Sequence, residues 1–489
     1  MKHKFIASSN IAAATGLCAL LAIAIGPIRP VVAQAREHKD RGLIETAPPP
    51  KAINYDKLTQ EAVTFLQQYV RLNTTNPPGD ELAAAKMIKQ KFLADGIPAT
   101  VWEPAAGRGI VAARLRGTGR HSKALVLLSH MDVISANAKE WQVPPFSAQI
   151  RDGEVWGRGT LDDKGPGVID LMAMIALKRA GVLLNRDVIF IATGDEEGGS
   201  KAGAGWMVEH EPDVYADAGY LLNEGGGIMS RPNGHKYYGV SITEKTPLWL
   251  RLTANGDGGH AAVPPAQTAV TRLIAALDRI AAYRSPIHVL SPVRDYFRAM
   301  GQLDGGPPQF ANLTVALRDA DFANKFVAVA RQNALVRDTF TPTVLKGSDQ
   351  TDVIPAIASA EIDARLLPGE NPQQVVADLH KLIAYDGIKI DVMLNFPAVS
   401  SPRKSELMTA LGKLAAENDT IVVPMMIPGF TDSHYFRQKG LDCYGFVPIE
   451  ATPAETRGVH GVNERISVKE LGGGVRRMVE LLKLIGTPG

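Results

Sequence analysis

Ala124-Leu125-Val126-Leu127-Leu128 is an unbroken apolar run, and it passes through Ser129 into His130-Met131-Asp132. A run of this length reads as a buried strand, and the polar residues that end it mark where strand meets loop. Two further runs repeat the arrangement. Val188-Ile189-Phe190-Ile191-Ala192 leads through Thr193-Gly194 to Asp195-Glu196-Glu197, and Ala218 to Leu222 leads to Asn223-Glu224-Gly225-Gly226-Gly227. Between the first two lies a helical stretch, Val168 to Ala180. Apolar strands alternating with helices predict an α/β layer with a largely parallel sheet. In such sheets ligands bind outside the carboxyl ends of the strands, so three strand ends are expected to bring His, Asp and Glu to one edge. A fourth segment, GRGTLDDKG at 157–165, is a glycine-flanked loop ahead of a helix.

Outward from this centre, Leu58, Ala62, Phe65, Leu66, Tyr69 and Val70 recur on one face of a helix, and a second helix runs from beyond Asn76-Pro77-Pro78-Gly79 to about Asp95. Near Thr246 the pattern changes. Leu248 to Leu252, Asn312 to Leu317 and Ser359 to Leu366 read as strands, and Val270 to Ile280 and Pro372 to Ala384 as helices. This predicts a small α+β unit inserted in the larger one, with an irregular segment at about 285–341. After about Val399 the helix–strand alternation resumes. The expected organisation is a signal peptide over 1–35, a catalytic domain from 36–244 and 399–489, and an inserted lid over 245–398.

The chain has 489 residues, 45% apolar and 21% charged, an ordinary globular composition with room for more than one domain. Lys+Arg is 53 against 51 for Asp+Glu, so there is no electrostatic footprint for nucleic acid. Lys2 and Lys4 make a basic start, Ile11 to Ile25 is apolar but short for a membrane span, and Ala33-Gln34-Ala35 gives a small-x-small cleavage site. This predicts a secretory signal peptide and an exported protein, periplasmic or secreted, without stable membrane insertion after cleavage; an uncleaved anchor is the alternative. Cleavage leaves Cys443 as the one cysteine, so no internal disulfide holds the fold.

Carboxylates gathered at one sheet edge repel. Two like charges about 4 Å apart cost about 4 kcal/mol at an effective dielectric of about 20, and a cation removes that cost. Histidine with carboxylate is the donor set expected for zinc, with manganese or cobalt as substitutes. Two metals sharing a carboxylate sit about 3.5–4 Å apart in many hydrolases. Taken singly, a Glu-Glu pair is commonly a solvated turn and a lone histidine a hydrogen-bonded structural residue. The GRGTLDDKG spacing does not match a phosphate loop. The joint occurrence carries the reading.

In this order, His130-x-Asp132-Val133, GRGTLDDKG at 157–165, GDEEGGS at 194–200, NEGGG at 223–227 and HGVNERIS at 460–467 resemble the co-catalytic zinc family of aminoacylase, carboxypeptidase G and succinyl-diaminopimelate desuccinylase. Trp141-Gln142-Val143-Pro144-Pro145-Phe146-Ser147 is most similar to the carboxypeptidase S branch. The resemblance implies a three-layer zinc-exopeptidase-like catalytic domain with a ferredoxin-like α+β lid. It implies one metal on His130, Asp162 and Glu224 and a second on Asp162, Glu197 and His460, with Asp162 bridging. Glu196 would be the general base and Asp132 the partner that orients His130. His260, in Gly258-Gly259-His260, matches a lid histidine that polarises the scissile carbonyl, often from a partner subunit. Arg365 matches a lid arginine that grips a substrate carboxylate with both arms of its fork, and Asn312 stands where relatives often place a substrate-contacting polar residue. Two departures bear on substrate recognition: His434 stands where many relatives have Arg, and Asp352 where relatives often have Asn.

The implied activity is hydrolysis of a peptide or amide bond beside a C-terminal carboxylate. The alternative is an N-acyl-amino-acid amidohydrolase with the same metal chemistry. A catalytically silent metal-binding protein is a third reading, against which Glu196 argues. The lid is a candidate homodimer surface. Intact-mass measurement of the exported protein should place its N-terminus near Arg36; residues 1–35 still attached would overturn the signal-peptide reading.

Overall fold

The computed structural model describes residues 49–486, apart from 120–122, 232, 305 and 386. The signal peptide expected over 1–35 lies outside the described residues. The apolar runs form the middle of an eight-stranded sheet. Its spatial order is Ala99–Trp102, Ile110–Leu115, Val188–Thr193, Ala124–His130, Ala218–Ser230, Asp442–Val447, Lys236–Glu244 and Val422–Ile427. Ala124–His130 pairs in parallel with both neighbours, and the antiparallel pairing of Ile110–Leu115 lies towards one edge. Every residue of Ala124–His130 and Val188–Thr193 is buried, as expected of parallel strands covered on both faces.

Alternation along the strands divides the core in two. Leu125, Leu127, Val188 and Phe190 face one layer of helices, which includes Tyr55–Arg71, Lys164–Ala180 and Val468–Gly486. Val126, Leu128, Ile189 and Ile191 face the other, with Ala204–His210 and Ser433–Gln438. Of the Lys164–Ala180 helix only Lys178 and Arg179 escape burial. The third strand runs on through the NEGGG motif to Ser230, so Glu224 sits within a strand rather than after one.

The second sheet is four-stranded and antiparallel, in the order Thr339–Lys346, Ile357–Leu366, Thr246–Asn255, Ile388–Asn395. Leu248, Leu250, Leu252, Ala360, Ile362 and Ala364 form its core with the helices Ala269–Ala282 and Pro372–Ile383.

Two expectations are corrected here. Asn312 to Leu317 is not a strand: Pro308–Asn312 is a 3₁₀ turn and Leu313–Ala316 a helical turn. Leu313 and Leu317, four apart, both turn towards the same apolar cluster, which is helical spacing. The strand that completes the pattern is Thr339–Lys346. The segment at 285–341 is not irregular either. Ser291–Asp304, Leu313–Ala316, Ala320–Val327 and Ala330–Val336 are helices around a core of Val293, Phe297, Leu313, Phe326 and Leu335 that also reaches Met426 of the large sheet.

Phe190 lies in the middle of the large sheet with its ring centroid 5.1 Å from that of Phe92. Phe190→Ala is expected to lower stability by about 3–5 kcal/mol in urea denaturation. A loss below about 1 kcal/mol would show that this core is not closely packed.

Candidate active site

The strand ends converge as their sequence positions predict. His130 is the last residue of its strand, Glu196 and Glu197 follow Thr193 in a tight turn, and Glu224 projects from the neighbouring strand. Asp162 precedes the Lys164–Ala180 helix, joined to Asp163 by a cis peptide bond. Gly165 lets this loop pack against the helix start, since a Cβ there would stand 2.0 Å from the Thr160 carbonyl oxygen. His460 arrives from the far end of the chain.

Asp162 lies between two histidines. Its Oδ1 is 3.0 Å from His130 Nε2 and its Oδ2 is 3.1 Å from His460 Nε2. Glu224 Oε1 is 3.8 Å from His130 Nε2, and Glu197 Oε1 is 3.1 Å from His460 Nε2. The donor atoms of His130, Asp162 and Glu197 fall within 4.8 Å of one another, as do those of His130, Glu196 and Glu224. Glu196 thus stands in ligand range as well, although the resemblance gives it the role of base.

The electrostatics follow from this crowding. Burial lifts Glu224 to about 8, helped by the charge of Asp162, and burial lifts Glu196 well above the usual carboxylate range. Burial also pushes Asp162 upwards, but hydrogen bonds from His130 and His460 hold it below its ordinary value. Hydrogen bonds to Asp162 and Glu197 raise His460 to about 10. Burial works against a charged His130, yet its bonds to Asp132 and Asp162 keep it protonated well above the usual histidine range. These protein groups therefore gather positive charge from protons, and divalent cations supply the same compensation.

The surrounding shell is buried and polar. His130 Nδ1 lies 3.0 Å from the Asp132 carbonyl oxygen and 3.5 Å from its carboxylate. The Asp132 carboxylate accepts the backbone N–H groups of Glu196 and Glu197, each at 3.1 Å, and an N–H of Asn76 at 2.8 Å. It thereby orients a histidine and fixes the glutamate turn together. Asp432 accepts the hydroxyls of Thr193 and Ser200, residues that flank the same turn.

A cavity of about 1080 Å³ opens between this cluster and the second sheet, lined by Glu196, Glu197, Trp249, Arg365, Phe430 and His460 among others. Alternation along the lid strands puts Trp249, Asp363 and Arg365 on the cavity side of their sheet. The Arg365 guanidinium lies over the Phe430 ring, 4.6 Å from its centroid, and its Nε donates to Asp363 at 2.6 Å.

Other expected residues lie elsewhere. His260 is exposed, on a two-residue ribbon paired with Val353–Ile354, and does not line this cavity. Asn312 caps the turn of helix after it by accepting the Val315 N–H at 3.4 Å. His434 is buried face to face with Phe396 and held neutral, with its pKa lowered to about 3 by burial. It carries no charge with which to replace an arginine.

Sequence reading missed the second layer. Glu81 is fully buried beside Arg108, whose Nε lies 3.2 Å away, and another Arg108 nitrogen lies 2.9 Å from Asp195. Burial, with the charge of Asp132, raises Glu81 to about 7 against the pull of Arg108. Neither residue belongs to a motif, and only the fold joins them.

The model of peptidase family M20/M25/M40 matches residues 126–484. The chain belongs to that family. Among curated relatives, it is 28% identical to human N-fatty-acyl-amino acid synthase/hydrolase PM20D1, over 76% of this chain and 75% of that one. It is 26% identical to probable carboxypeptidase S-like 2 of Dictyostelium discoideum, over 72% and 70%. Among solved structures it resembles the M20 metallo-carboxypeptidase Sso-CP2 of Sulfolobus solfataricus, with a TM-score of 0.68 at 19% identity, covering 87% of this chain and 99% of that one.

Arg108→Met should cost about 3–5 kcal/mol in denaturant titration, because it removes the cation that Glu81 and Asp195 share. Adding Glu81→Gln should restore part of it, the share owed to Glu81 and not to Asp195. A single variant as stable as wild type would show that the pair is not a buried one.

Proposed function

We propose that this chain is an exported two-metal hydrolase that cleaves an amide bond beside a free carboxylate. The observation that carries the reading is Asp162, with one oxygen on each of two histidines and Glu224 and Glu197 on the outer sides. His130, Asp162 and Glu224 would hold one cation and Asp162, Glu197 and His460 the other. Zinc suits this donor set, with cobalt or manganese as substitutes. When bound, such ions supply Lewis acidity towards a carbonyl and acidify water.

The chain's own residues supply the rest. Glu196, at the cavity wall, takes a proton from water at its carboxylate and delivers it to the leaving amine nitrogen. Asp132 holds both His130 and the turn that carries Glu196. Arg365, which lines the cavity, would meet a substrate carboxylate in exchange with Asp363. Residues 36–244 and 399–489 are read as the catalytic domain and 245–398 as the lid, whose exposed His260 would serve a second copy in a homodimer.

A second reading, hydrolysis of N-acyl amino acids, is favoured by the cavity wall. Ile134, Trp249, Met393 and Phe430 form an apolar lining beside Arg365. That lining suits a bulky apolar acyl group, in keeping with the similarity to PM20D1.

Glu196→Ala should lower kcat by about 10²–10⁴-fold while metal content stays at about two per chain. Unchanged turnover would remove Glu196 from the mechanism. Glu197→Ala and His460→Ala should instead lose metal by elemental analysis. Initial rates on dipeptides against N-acyl amino acids separate the two substrate readings.

A further inference from the structure

Arg158 and Glu464 are both buried, at 2% and 0% exposure, 306 residues apart in sequence, and joined at 2.7 Å. Each sits on a segment that carries a candidate ligand. Arg158 belongs to the 157–165 loop with Asp162, and Glu464 to the 458–464 turn with His460. Each reaches across to hold the backbone of the other's segment. Glu464 Oε1 accepts the N–H groups of Leu161 at 2.7 Å and Asp162 at 3.0 Å, and its Oε2 accepts that of Gly159 at 2.9 Å. Arg158 donates to the carbonyls of Gly461 at 2.5 Å and Gly458 at 3.3 Å, on either side of His460. His460 itself holds a positive φ of 54°, a backbone state that needs support from its surroundings. Trp141 lies against the Arg158 guanidinium, 5.2 Å from its ring centroid.

We propose that Arg158 and Glu464 are positioning residues that form a reciprocal clasp, setting the Asp162–His460 separation and so the affinity of the second cation. The inference rests on the two-cation reading above and deepens it. The first cation's set has its own supports, since His130 is held by Asp132 and its backbone N–H donates to Asp163 at 3.2 Å. Asp162 belongs to both sets, so the clasp should act on both sites, and most on the second, whose His460 turn it also holds. Its chemistry is selective too. A glutamine at 464 must point its NH₂ either at the Leu161 and Asp162 N–H groups or at Gly159 and Arg158, all donors, so no rotamer restores the set.

The test is Co²⁺ titration of the full mature chain, metal-free, against a competing chelator. Wild type is compared with Glu464→Gln and Arg158→Lys, with folding checked by far-UV circular dichroism. In wild type two ions are expected. In both variants the weaker-held ion should lose about 10–100-fold in affinity, the effect of removing an outer-shell partner. The other ion shares Asp162 but not His460, so it should lose less, and kcat should recover as Co²⁺ is raised. Two ions bound with wild-type affinity in a folded variant would overturn the clasp and leave the hydrolase reading standing. Failure of wild type to bind two ions would overturn the hydrolase reading itself, and the clasp with it. If Glu464→Gln does not fold, Arg158→Lys decides, since it keeps the charge beside Glu464 and loses the planar fork.

Discussion

Negative charge held in a dry interior is the constraint on which this protein's centre depends. Asp132, Asp162, Asp163, Glu196, Glu224 and Asp432 converge in a space where water can solvate few of them. Left alone, the interior lifts Glu196, Glu224 and Asp432 towards the neutral form. Asp162 escapes because it alone sits between two imidazoles. The outer shell answers the same problem by other means. Asp132 is satisfied by backbone N–H groups, Asp432 by hydroxyls and Glu464 by three amides and a guanidinium. Donors converge on each of these acids, and at Asp132 they outweigh burial, whereas Asp432 and Glu464 are still lifted above the usual carboxylate range.

The fold solves a second problem, which is bringing residues from distant parts of the chain together. Parallel strands end at one edge, so His130 and the 194–199 turn arrive side by side although residues 131–187 lie between their strands. His460 has no such guide. It comes in on a turn between a short helix and the Arg465–Ser467 strand, which pairs with Glu154–Trp156 and so fixes the chain close to the 157–165 loop. Strand pairing and buried ion pairs share the task that the sheet performs for the other ligands.

Much of this was legible in the residues. The short apolar runs announced the parallel strands, and polar residues at their ends announced the cluster, because burial on both faces leaves a distinct signature. Strand alternation in Thr246–Asn255 and Ile357–Leu366 was also readable. The helices between Leu313 and Val336 were not, since they are short, begin with local caps such as Asn312 and Asp319, and bury apolar side chains in a shared cluster. Thr339–Lys346 was hidden because, as an edge strand, it is half exposed and carries little alternation. The Glu81–Arg108 and Arg158–Glu464 pairs were invisible for another reason. Their meaning lies in contacts across long stretches of chain, which no local pattern records.

The helices from Ser291 to Val336 have a consequence for how the two sheets are held. Their core takes in Leu367 beside the lid sheet and Met426 of the large sheet, while Met300 packs on Tyr237 and Val423, and Asp295 pairs with Arg403. This wedge of aromatic and aliphatic side chains spans both sheets as a strut spans a vaulted roof. Beside the carboxylates, the spacing of the two sheets is thus buttressed by interlocked side chains and not by backbone connections alone.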